Sequence, residues 1–188
     1  MRMKSLVLLL ALAACQSTVP QVDEAAGAEI QSRLVKTIAG DLILVQEVLI
    51  EAPVRDVWAA YTTEAGWRAW ASPAVKIDLR AGGLIQTHYG QGAEIGDPGT
   101  NTIHILNYVP ERVLTLRADV EERWPKVMQE DADHLMNVIV FEALGAGRTK
   151  ILSYGVGYRD SVAYNELMGF FVPANEGLFQ VLKDYLEK

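Results

Sequence analysis

The sequence predicts an α+β domain in which a run of antiparallel strands lies between segregated helices, and three observations lead to this prediction. Alternating or β-branched segments follow one another from residue 31 to residue 158, separated by turns that contain glycine or proline. A pair of short helices interrupts them between residues 53 and 70. An amphipathic helix closes the chain. We expect a curved sheet that wraps the terminal helix and buries its apolar stripe.

The N-terminus has the pattern of a bacterial signal peptide at residues 1–14. Arg2 and Lys4 form a basic start, and the apolar run that follows is too short to span a bilayer as a helix. The run ends in Leu-Ala-Ala-Cys, which resembles the lipobox of bacterial lipoproteins. The resemblance implies cleavage before Cys15, a diacylglyceryl thioether on its sulfur, and often a further acyl chain, such as palmitate, on the new amine. The alternative is an ordinary secretory peptide cut near a cysteine.

A lipid anchor also predicts where the protein resides. Two or three acyl chains attach a protein stably to a membrane, whereas one chain does not. The residue after the cysteine is Gln16, whereas an Asp at that position would resemble the signal that retains lipoproteins in the inner membrane. We therefore expect a cell-envelope protein anchored in the outer membrane and facing the periplasm. Residues 15–29 are small and polar, which predicts a tether to a domain at residues 30–188.

Composition excludes several classes of protein. The 188 residues include 24 acidic and 17 basic side chains, for a net charge of −7. An acidic domain without a basic cluster repels phosphate backbones, so nucleic acid is not an expected partner. Half of the residues are hydrophobic, which excludes wholesale disorder. Cys15 is the only cysteine, so the core must be stable without an intramolecular disulfide.

The first elements are a hairpin and a pair of helices. Strands are predicted at residues 31–38 and 42–51 around a turn at Gly40. Pro53 suits the start of the next helix because its missing N–H would be unpaired there in any case. A second short helix is predicted over residues 65–70. The first helix has one apolar face, formed by Val54, Val57, Trp58 and Tyr61.

The remaining strands precede a helical end. They are predicted at residues 75–79, 84–89, 100–108, 113–120, 134–144 and 148–158. Residues 121–133 form a charged loop that holds Trp124-Pro125 and one helical turn. Asp160 or Ser161 can cap the last helical segment, and Pro173 is predicted to break or kink it. Beyond the proline, the apolar stripe consists of Leu178, Val181, Leu182, Tyr185 and Leu186.

Three blocks of residues resemble the START-like superfamily (SRPBCC), which has the helix-grip fold. They are similar above all to its subgroup named after the activators of the heat-shock ATPase chaperone. The resemblance extends over residues 40–188 and includes the closing helix. The blocks are Ile50-x-Ala52-Pro53-x-x-x-Val57-Trp58-x-Ala60-Tyr61-Thr62, Gly66-Trp67-x-x-Trp70 and Asp78-x-Arg80-x-Gly82-Gly83.

The resemblance implies a deep cavity between the sheet and the terminal helix, often occupied by an apolar or aromatic small molecule. It does not imply one reaction, because members of the superfamily include lipid carriers, hormone binders and polyketide cyclases. The chaperone partner that gives the subgroup its name is cytosolic, whereas an exported chain is expected elsewhere.

Five residues besides the histidines are candidates for the cavity wall. Trp67 and Trp70 lie in the short helix that borders the cavity mouth in this superfamily, where aromatic rings can stack on a ligand. Core packing is the alternative for both. Trp124, in a charged loop, is a candidate lid residue. Asn137 and Tyr154 are strand residues whose polar groups can orient a ligand in an apolar pocket.

Two histidines on consecutive strands are further candidates. His88 and His104 can be neighbours, and a zinc or copper site is conceivable because imidazole is a common ligand. No third ligand stands at a readable spacing, so paired structural histidines are the alternative that we favour. His134 is expected at the surface. We predict neither a metal nor a cofactor.

Three functional hypotheses follow. The first is an envelope lipoprotein that binds an apolar or aromatic small molecule. The second is a cavity enzyme of cyclase or hydrolase type with His88, His104 or Tyr154 as acid or base, which requires two such groups to converge in the pocket. The third is an interaction or structural protein of the envelope with a large exposed apolar patch. No strong catalytic motif is present in the sequence, so no catalytic residue is predicted.

Overall fold

The computed structural model describes residues 30–188, so the predicted signal peptide, Cys15 and the tether lie outside the described residues. The described chain has eight strands and four helices, which confirms the predicted α+β, helix-grip fold. The elements are β1 (Ile30–Lys36), β2 (Asp41–Ile50), α1 (Val54–Thr62), α2 (Glu64–Trp70), β3 (Ala74–Ile77), β4 (Leu84–His88), β5 (Asn101–Val109), β6 (Val113–Ala118), α3 (Lys126–Glu130), β7 (Met136–Ala143), β8 (Thr149–Arg159) and α4 (Val162–Leu186).

One antiparallel sheet contains all eight strands, in the order β1-β2-β8-β7-β6-β5-β4-β3. The register shifts where β8 has an extra residue between Gly155 and Tyr158, opposite β2, and where β5 has one between Ile105 and Asn107, opposite β6. Extra residues of this kind bend a strand and increase its twist. The sheet therefore curves, and its concave inner face receives the terminal helix.

Alternation along the strands separates the two faces of the sheet. In β8, Ile151 and Ser153 are buried, whereas Lys150 and Tyr154 on the other face are partly exposed. The inward residues of the neighbouring strands continue this buried face, since Ser153 is in register with Gln46 of β2. The core therefore lies on one side of the sheet only.

Helix α4 runs without interruption through Pro173, so the predicted break does not occur. Ser161 caps its start by accepting a hydrogen bond from the Tyr164 N–H, at 3.3 Å. A proline costs the helix the hydrogen bond to the carbonyl four residues earlier, here that of Gly169. Both residues are on the exposed side of α4, where water can bind that carbonyl. No helix in residues 30–188 is long and apolar enough to cross a membrane.

The core consists of two hydrophobic clusters. The larger one packs the middle of the sheet against α1, α2 and the second half of α4, which contributes Phe179 and Leu182. The smaller one includes Leu44 of β2 and Tyr164 and Met168 from the first half of α4. The two halves of a single helix thus belong to different clusters.

A buried lysine fixes the end of α4 to the sheet. Lys183 is only 2% exposed, and its Nζ donates to the Leu49 carbonyl at 2.6 Å and to Glu187 Oε1 at 2.7 Å. The same carboxylate oxygen accepts a hydrogen bond from the Glu51 N–H at 2.8 Å. Burial raises the pKa of Glu187, but the hydrogen bonds from Lys183 and from the Glu51 N–H outweigh it, and the pKa is lowered.

Glu187→Gln tests this anchor. The lowered pKa means that ionised Glu187 stabilises the fold above its unfolded-state pKa of about 4.3, and that the stabilisation is lost as pH falls through the folded-state value. We expect the variant to lose about 1–2 kcal/mol of unfolding free energy at pH 7 and to differ less from the wild type below pH 4, in urea titrations. Glu166→Gln, on the exposed side of α4, is the control. A deficit of equal size at both pH values would contradict the argument.

Candidate functional site

A cavity of about 330 Å³ opens between the sheet and α4, where the two core clusters meet. Its walls come from α1 and α2, from the inner faces of β5 to β8, from the segment 118–136 and from α4. Tyr89 and Leu178 line it while being 61% and 42% exposed, so they lie at its mouth. A volume of this size is typical of a small-molecule site.

The wall formed by α1 and α2 consists of fixed aromatic rings. The indole N–H of Trp67 donates to the Tyr61 carbonyl at 2.7 Å, and that of Trp70 donates to the Ala60 carbonyl at 3.0 Å. The rings of Trp67 and Trp70 have centroids 5.8 Å apart, and those of Tyr61 and Trp70 are 5.2 Å apart. Both tryptophans therefore satisfy carbonyls of the preceding helix and have little freedom to rotate.

Close contact between the two helices depends on Gly66. A Cβ at this position would lie 2.5 Å from the Ala59 carbonyl oxygen and 2.6 Å from Ala60 Cα. Thr63 joins the helices, because its hydroxyl donates to the Ala59 carbonyl at 2.7 Å and accepts from the Gly66 N–H at 3.0 Å. This turn places Trp67 and Trp70 against α1.

A second wall of the cavity belongs to the charged segment that contains α3. Trp124 and Met128 line the cavity, and the Gln129 side chain donates to the Trp124 carbonyl at 2.7 Å. Asp131 fixes the segment to the rest of the domain, because it accepts hydrogen bonds from Arg159 Nε at 2.7 Å and the Tyr164 hydroxyl at 3.0 Å. The buried indole N–H of Trp124 has no hydrogen-bond partner among the described residues.

Polar side chains form a continuous band on the inner face, beside α4. Gln46 is 1% exposed, donates to Ser32 Oγ at 3.0 Å and accepts from Asn175 Nδ2 at 2.9 Å. Ser153, its partner in the adjacent strand, donates to Asn137 Oδ1 at 3.0 Å. Asn137, Ser153 and Asn175 line the cavity. We call these five residues the polar band.

The cavity lining carries no charged side chain among the described residues, and eight of its side chains are aromatic. Burial raises the pKa of the Tyr61 and Tyr158 hydroxyls, so both phenols are neutral hydrogen-bond donors at physiological pH. The site therefore offers an apolar, aromatic surface with a few neutral polar groups. The aromatic residues are Tyr61, Trp67, Trp70, Tyr89, Trp124, Tyr158, Phe171 and Phe179.

Residues 51–187 match the family described as Activator of Hsp90 ATPase homolog 1-like protein. The chain belongs to this family. Together with the structural neighbours, the match confirms the resemblance to the START-like superfamily that the sequence motifs predicted. No curated protein is significantly similar in sequence to the whole chain.

Solved structures share the fold of this family member. The Aha1 dimer from Colwellia psychrerythraea, solved in solution, has a TM-score of 0.61 at 14% identity, over 77% of this chain and 96% of that chain. CalU16 from Micromonospora echinospora has a TM-score of 0.58 at 22% identity, over 86% and 76%. The di-domain ARO/CYC BexL from the BE-7585A biosynthetic pathway has a TM-score of 0.55 at 17% identity, over 77% and 46%. At such identities the likeness shows the fold alone.

Four of the seven predicted cavity residues line the cavity of this family member, namely Trp67, Trp70, Trp124 and Asn137. Their part in ligand binding remains a prediction. Tyr154 does not line the cavity, because Ser153 next to it faces inward and alternation turns Tyr154 to the outer face.

The two histidines also lie on the outer face, since Ile85, Thr87 and Ile105 take the buried positions. His104 is in register with Leu84, four residues before His88 along β4, which separates them by about 13 Å. The expectation that they are neighbours is therefore wrong. No group of three or more metal-ligating side chains is present within residues 30–188.

Each histidine has a local partner instead. His88 Nδ1 accepts from the Gly90 N–H at 2.9 Å, and its Nε2 lies 3.1 Å from the Pro98 carbonyl oxygen, so the ring organises the loop between β4 and β5. His104 Nε2 lies 2.7 Å from Asp119 Oδ1. His134 is exposed, in the position expected from the sequence.

The third hypothesis predicted an exposed apolar patch, and apolar side chains do occur on the outer side of α4. Phe170 is 67% exposed and Val181 46%, with Leu178 between them. Leu178 also lines the cavity mouth. Of these three exposed apolar side chains, Leu178 thus also belongs to the cavity wall.

Gly66→Ala tests how the aromatic wall is built. The added methyl group meets backbone atoms of Ala59 and Ala60, so α2 must move away from α1. We expect a loss of about 1–3 kcal/mol of unfolding free energy and a change in tryptophan emission. Gly169→Ala is the control, because nothing lies within 4 Å of its added Cβ. An unchanged denaturation midpoint for Gly66→Ala would refute this account.

Proposed function

We propose that the protein binds an uncharged apolar or aromatic small molecule in the cavity between its sheet and α4. The observation that carries this proposal is the lining itself. Aromatic side chains border a space of about 330 Å³, and none of the described residues that line it is charged. A charged ligand would lose its hydration there without gaining an ion pair. A ring-bearing ligand gains apolar burial and contacts with the tryptophan rings.

The arrangement supports binding more than catalysis. General acid–base chemistry needs a titratable group within hydrogen-bond reach of the substrate. His88, His104 and Tyr154, the predicted acid or base candidates, are on the outer face of the sheet, outside the cavity lining. Burial raises the pKa of Tyr61 and Tyr158 in the cavity lining, which makes these two phenols poor bases at neutral pH. We therefore favour the binding hypothesis over a cyclase or hydrolase.

A blocked cavity tests the binding proposal. Ala118 lines the cavity and is itself exposed, so Ala118→Trp places a large ring in the opening without overpacking the core. We expect the variant to bind the neutral dye Nile red at least about tenfold more weakly than the wild type, in fluorescence titrations. Ala143→Trp is the matched control, because Ala143 is an exposed strand residue outside the cavity. Equal affinity for Nile red in the wild type, Ala118→Trp and Ala143→Trp would contradict the proposal.

The ligand itself can be identified from the native source. Gently purified protein is analysed by native mass spectrometry, and the mass of any bound molecule is assigned. An uncharged apolar or aromatic molecule at one copy per chain is the expected result. An anionic or cationic ligand at the same occupancy contradicts the proposed class.

We further propose that binding takes place in the cell envelope, with the domain held at the outer membrane through lipid on Cys15. The support is the sequence of residues 1–16, where a basic start, an apolar run and Leu-Ala-Ala precede the cysteine. The domain starts at Ile30, so the tether spans at most about 50 Å when extended. Such a protein takes up or releases its ligand close to the lipid surface.

Cys15→Ser tests the anchor. Cells that express the wild-type chain and grow with radioactive palmitate are expected to label it, and the variant is expected to stay unlabelled and to leave the membrane fraction. Because Cys15 is the only cysteine, a label on the variant cannot come from another thiol. A wild-type chain that carries no label and fractionates with soluble proteins contradicts lipidation and leaves the ordinary secretory peptide.

A further inference from the structure

We infer that the polar band recognises a neutral group on the ligand that both donates and accepts a hydrogen bond, such as a primary amide or a hydroxyl beside a carbonyl. This inference rests on the proposed binding function and specifies the ligand more closely. The band consists of Ser32, Gln46, Asn137, Ser153 and Asn175, as defined above.

The band is a built feature of the sheet. Ser32, Gln46 and Ser153 occupy matching register positions on three neighbouring strands, so their side chains stand in one row on the inner face. A row of this kind surrounded by apolar residues destabilises the fold unless its groups are hydrogen-bonded. Asn175 reaches the row from α4, and Asn137 reaches it from β7.

The internal hydrogen bonds leave one polar atom free on each of the two asparagines. Asn175 uses its Nδ2 to donate to Gln46, which leaves its Oδ1 as an acceptor at the cavity surface. Asn137 uses its Oδ1 to accept from Ser153, which leaves its Nδ2 as a donor. Neither Asn175 Oδ1 nor Asn137 Nδ2 has a hydrogen-bond partner within residues 30–188.

The remaining acceptor and donor come from different elements but border the same space. A ligand group with both functions can pair with Asn175 Oδ1 and Asn137 Nδ2 at once, whereas a pure hydrocarbon leaves both desolvated and unpaired. A carboxylate accepts from Asn137 but meets the Asn175 oxygen as a second acceptor. The band therefore discriminates against hydrocarbons and anions in favour of neutral groups with mixed function.

Three probes of similar shape separate these cases: naphthalene, 2-naphthamide and 2-naphthoate. Their affinities are measured by equilibrium dialysis against the Cys15→Ser chain, which has no thiol at position 15 to acylate. We expect 2-naphthamide to bind about tenfold more tightly than naphthalene, and 2-naphthoate to bind more weakly than 2-naphthamide by at least the same factor. Naphthalene affinity equal to or greater than that of 2-naphthamide overturns the inference.

Variants assign the preference to the two asparagines. Asn137→Leu and Asn175→Leu are each expected to bring the ratio of the 2-naphthamide and naphthalene affinities close to one, while naphthalene still binds. Asn165→Leu on the exposed side of α4 is the matched control and is expected to keep the ratio. Loss of the hydrogen bond from Ser153 in Asn137→Leu should not unfold the protein, because the serine hydroxyl can rotate to another partner. A preference for 2-naphthamide that persists in Asn137→Leu also overturns the inference.

The same dialysis distinguishes failure of the two proposals. If naphthalene binds and 2-naphthamide does not bind more tightly, the cavity binds apolar molecules but the polar band does not recognise a polar group on them. If none of the three probes binds, the proposed binding function fails, and the inference fails with it.

Discussion

A single helix has to cover the inner face of an eight-stranded sheet, and this mismatch in width determines most of the architecture. Seven spacings between strands amount to about 34 Å, whereas a helix with its side chains is about 10–12 Å across. Helix α4 therefore packs on β1 and β2 at one side of the sheet. The remaining inner face is covered by α1 and α2 and by the segment around α3, and the space between these covers is the cavity.

The lining of this space is consistent with the binding function proposed for it. Apolar side chains that face an open space forgo the dispersion contacts that a filled core provides. The aromatic wall is nevertheless held rigidly, since Trp67 and Trp70 donate their indole protons to carbonyls of α1. Neutral polar groups are placed beside the same space and are bonded to one another on their inner sides. Rigid walls with a few oriented polar groups are the usual features of a small-molecule site.

Sequence reasoning predicted the fold well because the fold depends on local signals. Each of these signals is contained in a short stretch of sequence: the alternation along a strand, the apolar stripe on the last helix, and the motif around Trp58 and Trp67. The break at Pro173 was the exception, since an exposed proline leaves only one carbonyl to be bound by water. The tryptophans of the cavity wall were predicted because their helix is specified by the same local motif.

The rest of the site depends on register, which the sequence does not display. His88 and His104 occur on consecutive strands, but an offset of four residues along β4 separates them. Gln46 and Asn175 are 129 positions apart and meet only because α4 lies on β2. Tyr61 was predicted only on the apolar face of the first helix, and its ring both packs in the core and borders the cavity. A polar residue at an inward position, such as Ser153 between Ile151 and Gly155, was the available signal.

The division of the core into two clusters has a consequence for cooperativity. The cavity has one wall in each cluster, so an occupant adds contacts across the boundary that α4 and β2 also bridge. In the empty protein we expect faster amide hydrogen exchange in the segment around α3, which belongs to the smaller cluster, than in the central strands. A free ligand concentration of a hundred times the dissociation constant adds about 2.7 kcal/mol to the free energy of unfolding. A ligand in the proposed site would then act as a missing piece of the core and join the packing of the two clusters.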